Sequence, residues 1–223
     1  MLEAEAIRLC EILLSRDDLS PLLNLGSSTG AFRRIARPWI HQRLFLPLEE
    51  AGIAVSHCDL KAGEGVDLSG DIKEPVMVQG LKAMGFRCVL LSNLLEHVKA
   101  REQVAAACEE VVGPGGLILA TVPASYPYHA DPIDTLYRPS PPELAALFRR
   151  SRSLLEEEVI GPSFGGLLRA QGVNVGMEMI RTLIWALISP ARPKGFAARL
   201  HRWLWYRRPY RVSIVLVEVV SPQ

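Results

Sequence analysis

The sequence lacks several features that would assign it to a specialised class of protein. It has only four cysteines among 223 residues, and no two of them form the CxxC pair typical of zinc and redox sites. We interpret Cys10, Cys58, Cys88 and Cys108 as small apolar residues of a protein in a reducing compartment. No apolar run is long enough to span a bilayer, and the acidic first residues do not resemble a signal peptide. The sequence therefore predicts a globular, cytoplasmic protein.

Acidic residues are absent from one long segment near the C-terminus. Eight of the 25 Lys and Arg residues lie between Met179 and Arg211, and none of the 24 Asp and Glu residues does. The remainder of the chain therefore carries 17 basic and 24 acidic residues, although the net charge of the whole chain is +1. No nucleic-acid recognition module accompanies the basic cluster, so we do not expect nucleic acid as a partner.

The rest of the sequence alternates short apolar runs with helical segments. Residues 2–15 and 100–112 have the apolar spacing of helices, and four runs have the length of buried strands: PLLNLG, IAVSHCDL, RCVLLSNLLEH and LILATVP. In SPPEL, Ser140 and Glu143 form a capping box at a helix start. Continuously apolar strands that alternate with helices are typical of a parallel sheet covered on both faces. The sequence therefore predicts an α/β fold with a doubly wound, Rossmann-like sheet.

A glycine turn follows the first predicted strand, in the sequence LLNLGSSTGAF. Gly26 and Gly30 allow a ligand to approach the backbone, and the amides of the next helix start favour a carboxylate or phosphate. Two nucleotide motifs are excluded, because no Lys follows as in GxxxxGK[ST] and the glycines do not have GxGxxG spacing. A tight turn that binds no ligand is the alternative.

Two acidic residues narrow the choice of ligand. Asp59 ends the second predicted strand, where its carboxylate can accept hydrogen bonds from both hydroxyls of a ribose, and Asp71 follows in VDLSGDI. Together with the glycine turn, they favour a ribose-bearing cofactor that has a carboxylate and no pyrophosphate. S-adenosylmethionine fits this description better than NAD does.

The order of these motifs resembles that of the class I S-adenosylmethionine-dependent methyltransferases. It is most similar to the small bacterial type-11-like group, which acts on sugars, lipids and other small molecules. The motifs are LNLGSSTG, CDL, GDI, LLSNLLEHV and GPGGLILATVP, and they cover roughly residues 20–160. The resemblance implies a mostly parallel sheet of about seven strands, with RVSIVLVEVV as an antiparallel last strand. It also implies S-adenosylmethionine as the cofactor.

The resemblance also implies roles for individual residues. The methionine end of the cofactor would lie against the glycine turn, at Gly26, Ser27, Ser28 and Gly30. The ribose would bind Asp59, and the adenine would contact Leu60, Asp71 and Ile72. Asn93 and Leu94 would lie beside the sulfonium. The chain departs from the family at Asn24, where Asp or Glu is usual, and at Ser28, where another glycine is usual. Asn24 can form hydrogen bonds but brings no charge to an ammonium group.

Glu96 and His97 follow the fourth predicted strand. A metal site at helical spacing, such as HExxH, would need a further ligand nearby in the sequence, and none is present, so we predict no metal. The resemblance makes EHV a marker of the family motif, and Glu96 also suits a helix start. His97 remains an additional acid/base candidate.

The loop PYHADPIDTLYRP, residues 127–139, leaves the LILATVP strand at the ligand edge of the sheet. Six of the 16 prolines fall between Pro123 and Pro142 and stiffen it. Methyl transfer to oxygen or nitrogen benefits from a base, and His129 is our candidate because its intrinsic pKa is near neutral.

Other residues of this loop are expected to orient His129 or to contact the acceptor. Asp131 or Asp134 would fix its tautomer, and Arg138 would hold a carboxylate or phosphate on the acceptor. Tyr126 and Tyr128 would stack on a sugar or an aromatic ring. Alternatively, the two aspartates are turn formers, and one of them pairs with Arg138.

The basic segment also contains three of the four tryptophans, Trp185, Trp203 and Trp205. We place it in a helical insertion at residues 162–211, before the last strand. Trp, Tyr, Arg and Lys together are typical of segments at a membrane surface. Residues 179–211 would then reach a lipid-linked acceptor. The alternative is packing inside the protein or in a homodimer interface.

These observations favour a single domain, residues 1–223, that transfers a methyl group from S-adenosylmethionine to a small-molecule acceptor. A saccharide or a lipid-linked intermediate is the expected acceptor class. The alternative is a protein that binds the cofactor or a partner on this fold without catalysis. Asn24 and the absence of a catalytic motif of the Pro-Pro-Tyr type leave that alternative open.

Overall fold

A single seven-stranded sheet organises the chain. The computed structural model describes residues 1–129, 133–188 and 200–221. The strands are β1 Leu22–Leu25, β2 Val55–Asp59, β3 Leu68–Ser69, β4 Cys88–Ser92, β5 Leu117–Ser125, β6 Ser151–Ser163 and β7 Pro209–Val219. Their order in the sheet is β3-β2-β1-β4-β5-β7-β6. The last strand, β7, runs antiparallel to both β5 and β6, and the pairs from β3 to β5 are parallel.

Eight α-helical segments surround this sheet in the described residues. They are α1 Glu3–Leu14, α2 Pro38–Ile40, α3 Leu46–Glu50, α4 Pro75–Ala83, α5 Arg101–Val112, α6 Pro141–Ala145, α7 Phe164–Ala170 and α8 Val175–Ile188. Two π-helical turns, Phe32–Ala36 and His41–Phe45, precede and follow α2. The capping box predicted for Ser140 and Glu143 is present at α6. None of the described helices is both long and apolar enough to cross a bilayer.

The core lies in two layers, one on each face of the sheet. Alternate residues of β4 point to opposite sides: Val89 and Leu91 pack with α4 and α5, whereas Cys88 and Leu90 pack with α1 and α3. Residues Cys88–Leu91 are all fully buried, which explains why this strand is apolar throughout. All four cysteines are buried and free. The predicted Rossmann-like architecture, with its antiparallel last strand, is therefore confirmed.

The carboxyl ends of the parallel strands meet at one edge of the sheet. Leu25 of β1 is level with Cys58 of β2 and Leu91 of β4, and Ser92 of β4 is level with Thr121 of β5. Ligands of open α/β sheets bind at this edge, near the point where the strand order reverses. Here β1 and β4 are neighbours, so the reversal lies between the glycine turn and the loop that contains Glu96.

Candidate active site

The glycine turn is held closed by residues of a loop that follows β2. The carboxylate of Glu64 accepts a hydrogen bond from the Ala31 amide at 3.0 Å, and its carbonyl accepts one from the Gly30 amide at 2.7 Å. A Cβ at position 30 would lie 2.9 Å from the Glu64 carboxylate oxygens, so glycine lets this carboxylate approach the turn closely. An internal carboxylate therefore occupies the amides that we predicted for the carboxylate of a cofactor.

A buried arginine fixes the shape of the same turn. Arg33 donates hydrogen bonds from its guanidinium to the carbonyls of Ser27, Ser28 and Gly65, at distances from 2.6 to 2.9 Å. Ser28 has a φ of +55°, in the left-handed region where the family more often has glycine. The Arg33 contacts support this conformation, because the carbonyl groups of Ser27 and Ser28 both accept hydrogen bonds from its guanidinium.

The two predicted ribose and adenine carboxylates lie at the expected edge. Asp59 accepts hydrogen bonds from the Ser28 amide at 2.8 Å and from the Lys61 amide at 3.3 Å. Asp71 accepts one from the Lys73 amide at 3.0 Å, which, together with the Lys73 ammonium, lowers the pKa of Asp71. Both carboxylates accept backbone hydrogen bonds in their turns and have oxygen atoms that can accept further ones.

The apolar residues predicted for the adenine differ in exposure. Leu60 is 64% exposed at the sheet edge, whereas Ile72 is buried in the core between β3 and α4. An exposed leucine beside Asp59 provides an apolar surface that a planar base could cover.

Asn24 is used inside the protein. Its side chain is buried, and its amide nitrogen lies 2.9 Å from Nδ1 of His57 on the neighbouring strand. Burial and the positive charge of Arg33 lower the pKa of His57 to about 4, so the imidazole is neutral at pH 7. Neutral His57 accepts the hydrogen bond from Asn24, which leaves the asparagine amide facing His57 and not the ligand edge.

A buried glutamate of α1 reaches the end of β4. Glu5 is fully buried, and its Oε1 accepts hydrogen bonds from Asn93 Nδ2 at 2.7 Å and from Thr121 Oγ1 at 2.6 Å. The Leu2 amide donates to the other oxygen of Glu5 at 3.0 Å. Our sequence analysis missed Glu5, although the sequence carries a signal, because an acid stands on the apolar face formed by Ala6, Leu9 and Leu13. Glu5 sets the orientation of Asn93.

Leu94 covers the first glycine of the turn. A side chain at Gly26 would lie 2.9 Å from Leu94 Cδ1, and Gly26 has a φ of +75°. Leu94 thus lies over the turn. It follows Asn93, the first residue after β4, which has a φ of +53°. Two surface cavities of the described part, one bounded by Ser125 and Arg208 and the other by Gly115 and Arg152, involve none of the predicted cofactor residues.

Glu96, His97 and His129 form a second cluster at this edge. Glu96 is 1% exposed, and burial raises its pKa to about 8, with a further contribution from the charge of Glu5. His97 Nε2 lies 3.8 Å from Glu96 Oε1, and the rings of His97 and His129 are 5.1 Å apart between centroids. Burial lowers the pKa of His129, so its ring is neutral at pH 7. Glu96 and His97 are neighbours in the sequence, whereas His129 lies close to them only in the folded protein.

The proline-rich loop supports this cluster from outside. Asp134 accepts hydrogen bonds from the amides of His129, at 3.0 Å, and Leu136, at 2.8 Å, and forms a buried ion pair with Arg138 at 2.6 Å. Thr135 donates from its amide and its hydroxyl to the carbonyl of Glu96. These contacts match the alternative in which Asp134 forms a turn and pairs with Arg138. Asp131 lies outside the described residues.

The two tyrosines of the loop have different surroundings. The ring of Tyr126 packs edge-on against His129 and at a tilt against Tyr210 of β7, and burial raises the pKa of Tyr126. The Tyr128 amide donates to His201 Nδ1 at 3.1 Å, which ties the loop to the segment before β7. Tyr126 therefore forms one wall beside His129, while Tyr128 lies at the junction with the basic segment.

Part of the basic, aromatic segment packs against the domain. Trp203 contacts Phe164 edge-on, and Trp205 donates a hydrogen bond from Nε1 to Ser125 Oγ at 3.1 Å. In helix α8, by contrast, a polar residue is buried. The hydroxyl of Thr182 accepts a hydrogen bond from Trp203 Nε1 at 3.4 Å. Five large apolar side chains in the part of α8 up to residue 184 are exposed: Met177, Met179, Ile180, Leu183 and Ile184. The helix thus turns an apolar surface to the outside.

Comparisons with solved structures agree with this architecture. A proposed sarcosine dimethylglycine methyltransferase from Galdieria sulphuraria aligns with 99% of this chain and 85% of its own, at a TM-score of 0.57 and 14% identity. The chain has the fold of class I S-adenosylmethionine-dependent methyltransferases. A Burkholderia thailandensis 1,6-didemethyltoxoflavin-N1-methyltransferase aligns at a TM-score of 0.50 and 17% identity, over 98% of this chain and 78% of its own.

The same fold also occurs in a protein with another activity. The [4+2]-cyclase SpnF aligns at a TM-score of 0.53 and 16% identity, covering 97% of this chain and 82% of its own. No protein-family model matches the chain, and no curated protein matches it. At these identities, the similarity establishes the methyltransferase fold, and the activity has to be argued from the residues at the sheet edge.

Proposed function

We propose that this protein transfers a methyl group from S-adenosylmethionine to a small-molecule acceptor. One observation carries the proposal: the glycine turn, Asp59 and Asn93 lie at the same sheet edge as the buried Glu96 and the half-buried His97 and His129. A site for a ribose-bearing cofactor and a group of titratable side chains are therefore adjacent. The methyltransferase fold of the chain supports this assignment.

The residues at the glycine turn fit the cofactor, provided that one contact opens. Gly26 has a φ of +75° that favours glycine, Asp59 offers carboxylate oxygens, and Leu60 offers an exposed apolar surface. The Glu64 carboxylate has to leave the Ala31 amide before another carboxylate can accept its hydrogen bond. When bound, S-adenosylmethionine supplies a methyl group on a sulfonium.

His129 is the proposed base, which would take a proton from the molecule that receives the methyl group. It lies between Tyr126 and His97, and Asp134 fixes its backbone through the amide. A neutral imidazole at this position can take a proton as the acceptor oxygen or nitrogen attacks. Asn93, held by Glu5, would position the reacting groups without taking part in proton transfer.

We also propose that the acceptor is a saccharide or a lipid-linked intermediate, and that the insertion at residues 162–211 reaches it at a membrane surface. The five exposed apolar side chains of α8 are the specific observation that favours a lipid surface. Arg181 and Arg202 are exposed on the same segment, which suits anionic lipid headgroups. The cytoplasmic location stays a prediction from the composition.

A protein that binds the cofactor or a partner on this fold without catalysis is the second candidate. The Glu64 carboxylate at the glycine turn favours the partner-binding form of this candidate, because the contact competes with a bound cofactor. The neutral, internally paired Asn24 favours it as well, because it offers no charge to an ammonium group. SpnF illustrates that this fold also serves a different reaction.

A methyl-transfer assay separates the two candidates. The protein is incubated with S-adenosylmethionine carrying a labelled methyl group and with fractionated saccharide and lipid pools. We expect label in one pool, and a loss of about 100-fold or more in rate for His129→Ala at unchanged affinity for S-adenosylhomocysteine. His41→Ala is the matched control, because His41 lies on the π-helical turn before α3. Cofactor binding with no labelled pool would favour the second candidate.

A further inference from the structure

Three potential metal ligands converge beside the proposed reaction site. One donor atom each from Glu96, His97 and His129 lies within 4.8 Å of the other two. Glu96 and His97 belong to a short 3₁₀ helix after β4, and His129 comes from the loop after β5. The three are therefore neighbours only because β4 and β5 are adjacent parallel strands.

The carboxylate of Glu96 lacks the partners that a buried carboxylate normally has. Its side chain is 1% exposed, and neither oxygen has a hydrogen-bond partner among the described residues. Buried polar atoms are almost always hydrogen-bonded, because leaving one unpaired costs free energy, and a charged group costs most. A cation next to Glu96 would remove this cost.

His97 is oriented as metal-ligating histidines are. Its Nδ1 donates to the carbonyl oxygen of Ile133, so the neutral ring has its lone pair on Nε2. Nε2 is the nitrogen that lies 3.8 Å from Glu96 Oε1. A backbone carbonyl that holds the other ring nitrogen is the usual support of a histidine ligand.

The backbone around the cluster is fixed on both sides. Thr135 donates twice to the carbonyl of Glu96, and Asp134 accepts from the amide of His129. These contacts hold the two chain segments at a constant separation, so that small side-chain movements suffice to bring three donors around an ion. Typical ligand distances of about 2.0–2.2 Å would draw the donor atoms closer together than they are now.

We propose that Glu96, His97 and His129 bind one divalent transition-metal ion. Two imidazoles and one carboxylate are the ligand set of catalytic zinc sites and of non-haem iron sites, both of which keep coordination positions open. Tyr126 lies against His129, so its ring would border an acceptor that binds beside the ion. Zn²⁺, Fe²⁺ and Mn²⁺ share this ligand preference, so the proposal names the class of divalent transition-metal ions.

The ion would change how an acceptor loses its proton. This step rests on the proposed methyl transfer, whereas the metal site itself does not. A hydroxyl oxygen bound to a divalent ion loses its proton more readily, as metal-bound water does. His129 has no free lone pair for a proton when its nitrogen ligates the ion, so the ion takes over this function and the proton passes to solvent.

The site can be tested with Co²⁺, whose absorption spectrum reports ligation by nitrogen and oxygen. Tag-free protein is stripped with a chelator and titrated, and Zn²⁺ is then added as a competitor. We expect one Co²⁺ per chain, displaced by Zn²⁺, and a rise in the melting temperature with the ion. Affinity should fall about 10-fold to 100-fold in His97→Ala, His129→Ala and the conservative Glu96→Gln, and stay unchanged in His41→Ala.

Two outcomes would overturn the metal site. One is the absence of Co²⁺ binding at millimolar concentration in folded wild-type protein, which would indicate that Glu96 is simply protonated. The other is binding that all three ligand variants retain while circular dichroism shows them folded. Titration of the same samples with S-adenosylhomocysteine keeps the two proposals apart, because loss of metal binding alone leaves the cofactor proposal standing, and the reverse also holds.

Discussion

The carboxylate of Glu64 lies 3.0 Å from the amide nitrogen of Ala31, an amide at the glycine turn that we propose for the carboxylate of the cofactor. Glu64 is exposed, so this contact can open without exposing core residues. The loop that contains Glu64 is therefore an internal competitor for the glycine turn. Cofactor binding has to displace Glu64. The apparent affinity for the cofactor is therefore reduced in proportion to the fraction of protein in which the Glu64 carboxylate is free of the Ala31 amide.

We predict that Glu64→Gln binds S-adenosylhomocysteine more tightly than the wild type does. A neutral amide competes less well than a carboxylate for the Ala31 amide, and we expect a decrease in Kd of about threefold to tenfold. Isothermal titration calorimetry gives this value. Glu50→Gln, at the exposed end of α3, is the control for the loss of one negative charge. Equal or weaker binding by Glu64→Gln would show that Glu64 does not compete with the cofactor.

Glu5 is predicted to be important for stability as well as for the site. In Glu5→Ala, Thr121 and Asn93 each lose the hydrogen bond that they donate to the carboxylate. We expect the free energy of unfolding to fall by about 2–4 kcal/mol, because buried donors are left unpaired. Urea unfolding measures this change. Glu3→Gln on the same helix removes only the exposed pair with Arg43 and should cost less than about 1 kcal/mol. Similar losses in the two variants would contradict this role of Glu5.

We predict that protonation of His57 destabilises the folded protein at acidic pH. Its pKa is about 4 in the folded protein, chiefly because of burial, and about 6.5 in the unfolded chain. Between these values the unfolded chain binds a proton that the folded protein does not, so stability falls as the pH decreases from 6.5 to 4. We expect about 1–3 kcal/mol of this loss to come from His57.

The test compares the pH dependence of two variants. His57→Asn keeps an acceptor for Asn24 but no titratable group, and it should flatten the decrease in the free energy of unfolding between pH 6.5 and 4. His41→Asn should leave the decrease as it is in the wild type. An unchanged slope in His57→Asn would assign the acid sensitivity to other groups.

Helix α8 is predicted to mediate contact with anionic membranes. We expect the protein to sediment with vesicles that contain phosphatidylserine, and the double variant Ile180→Glu and Leu183→Glu to bind at least about tenfold more weakly. Ile35→Glu, at another exposed apolar residue, is the control. Sedimentation of neither protein, together with a dimer of the wild type that the double variant abolishes, would support the homodimer interface instead.

The architecture could be predicted because it depends on patterns that are local in the sequence. Apolar runs such as Cys88–Leu91 are buried on both faces of the sheet, and the capping box at Ser140 and Glu143 is satisfied within four residues. Periodicity and capping record such features directly. The glycine turn and Asp59 lie where motif order placed them, because their strands are neighbours.

The contacts within the site could not be predicted, because they join distant parts of the chain. Glu5 meets Asn93 across 88 positions, and Ala31 meets Glu64 across 33 positions. The approach of His129 to Glu96 requires the pairing of β4 with β5, and no spacing rule gives it. The sequence allows two roles for Asp134 and Arg138, either contact with the substrate or formation of a turn. Only the side-chain geometry shows that the two residues form an ion pair with each other.

The most direct test of the central claim is a calorimetric titration of the wild-type protein with S-adenosylhomocysteine, with NAD as the comparison ligand. The proposed function predicts one S-adenosylhomocysteine per chain, no heat with NAD, and weaker binding in Asp59→Asn than in the control Asp17→Asn, whose side chain is exposed at the end of α1. Absence of S-adenosylhomocysteine binding in both the wild type and Glu64→Gln, or binding of NAD in its place, would contradict it.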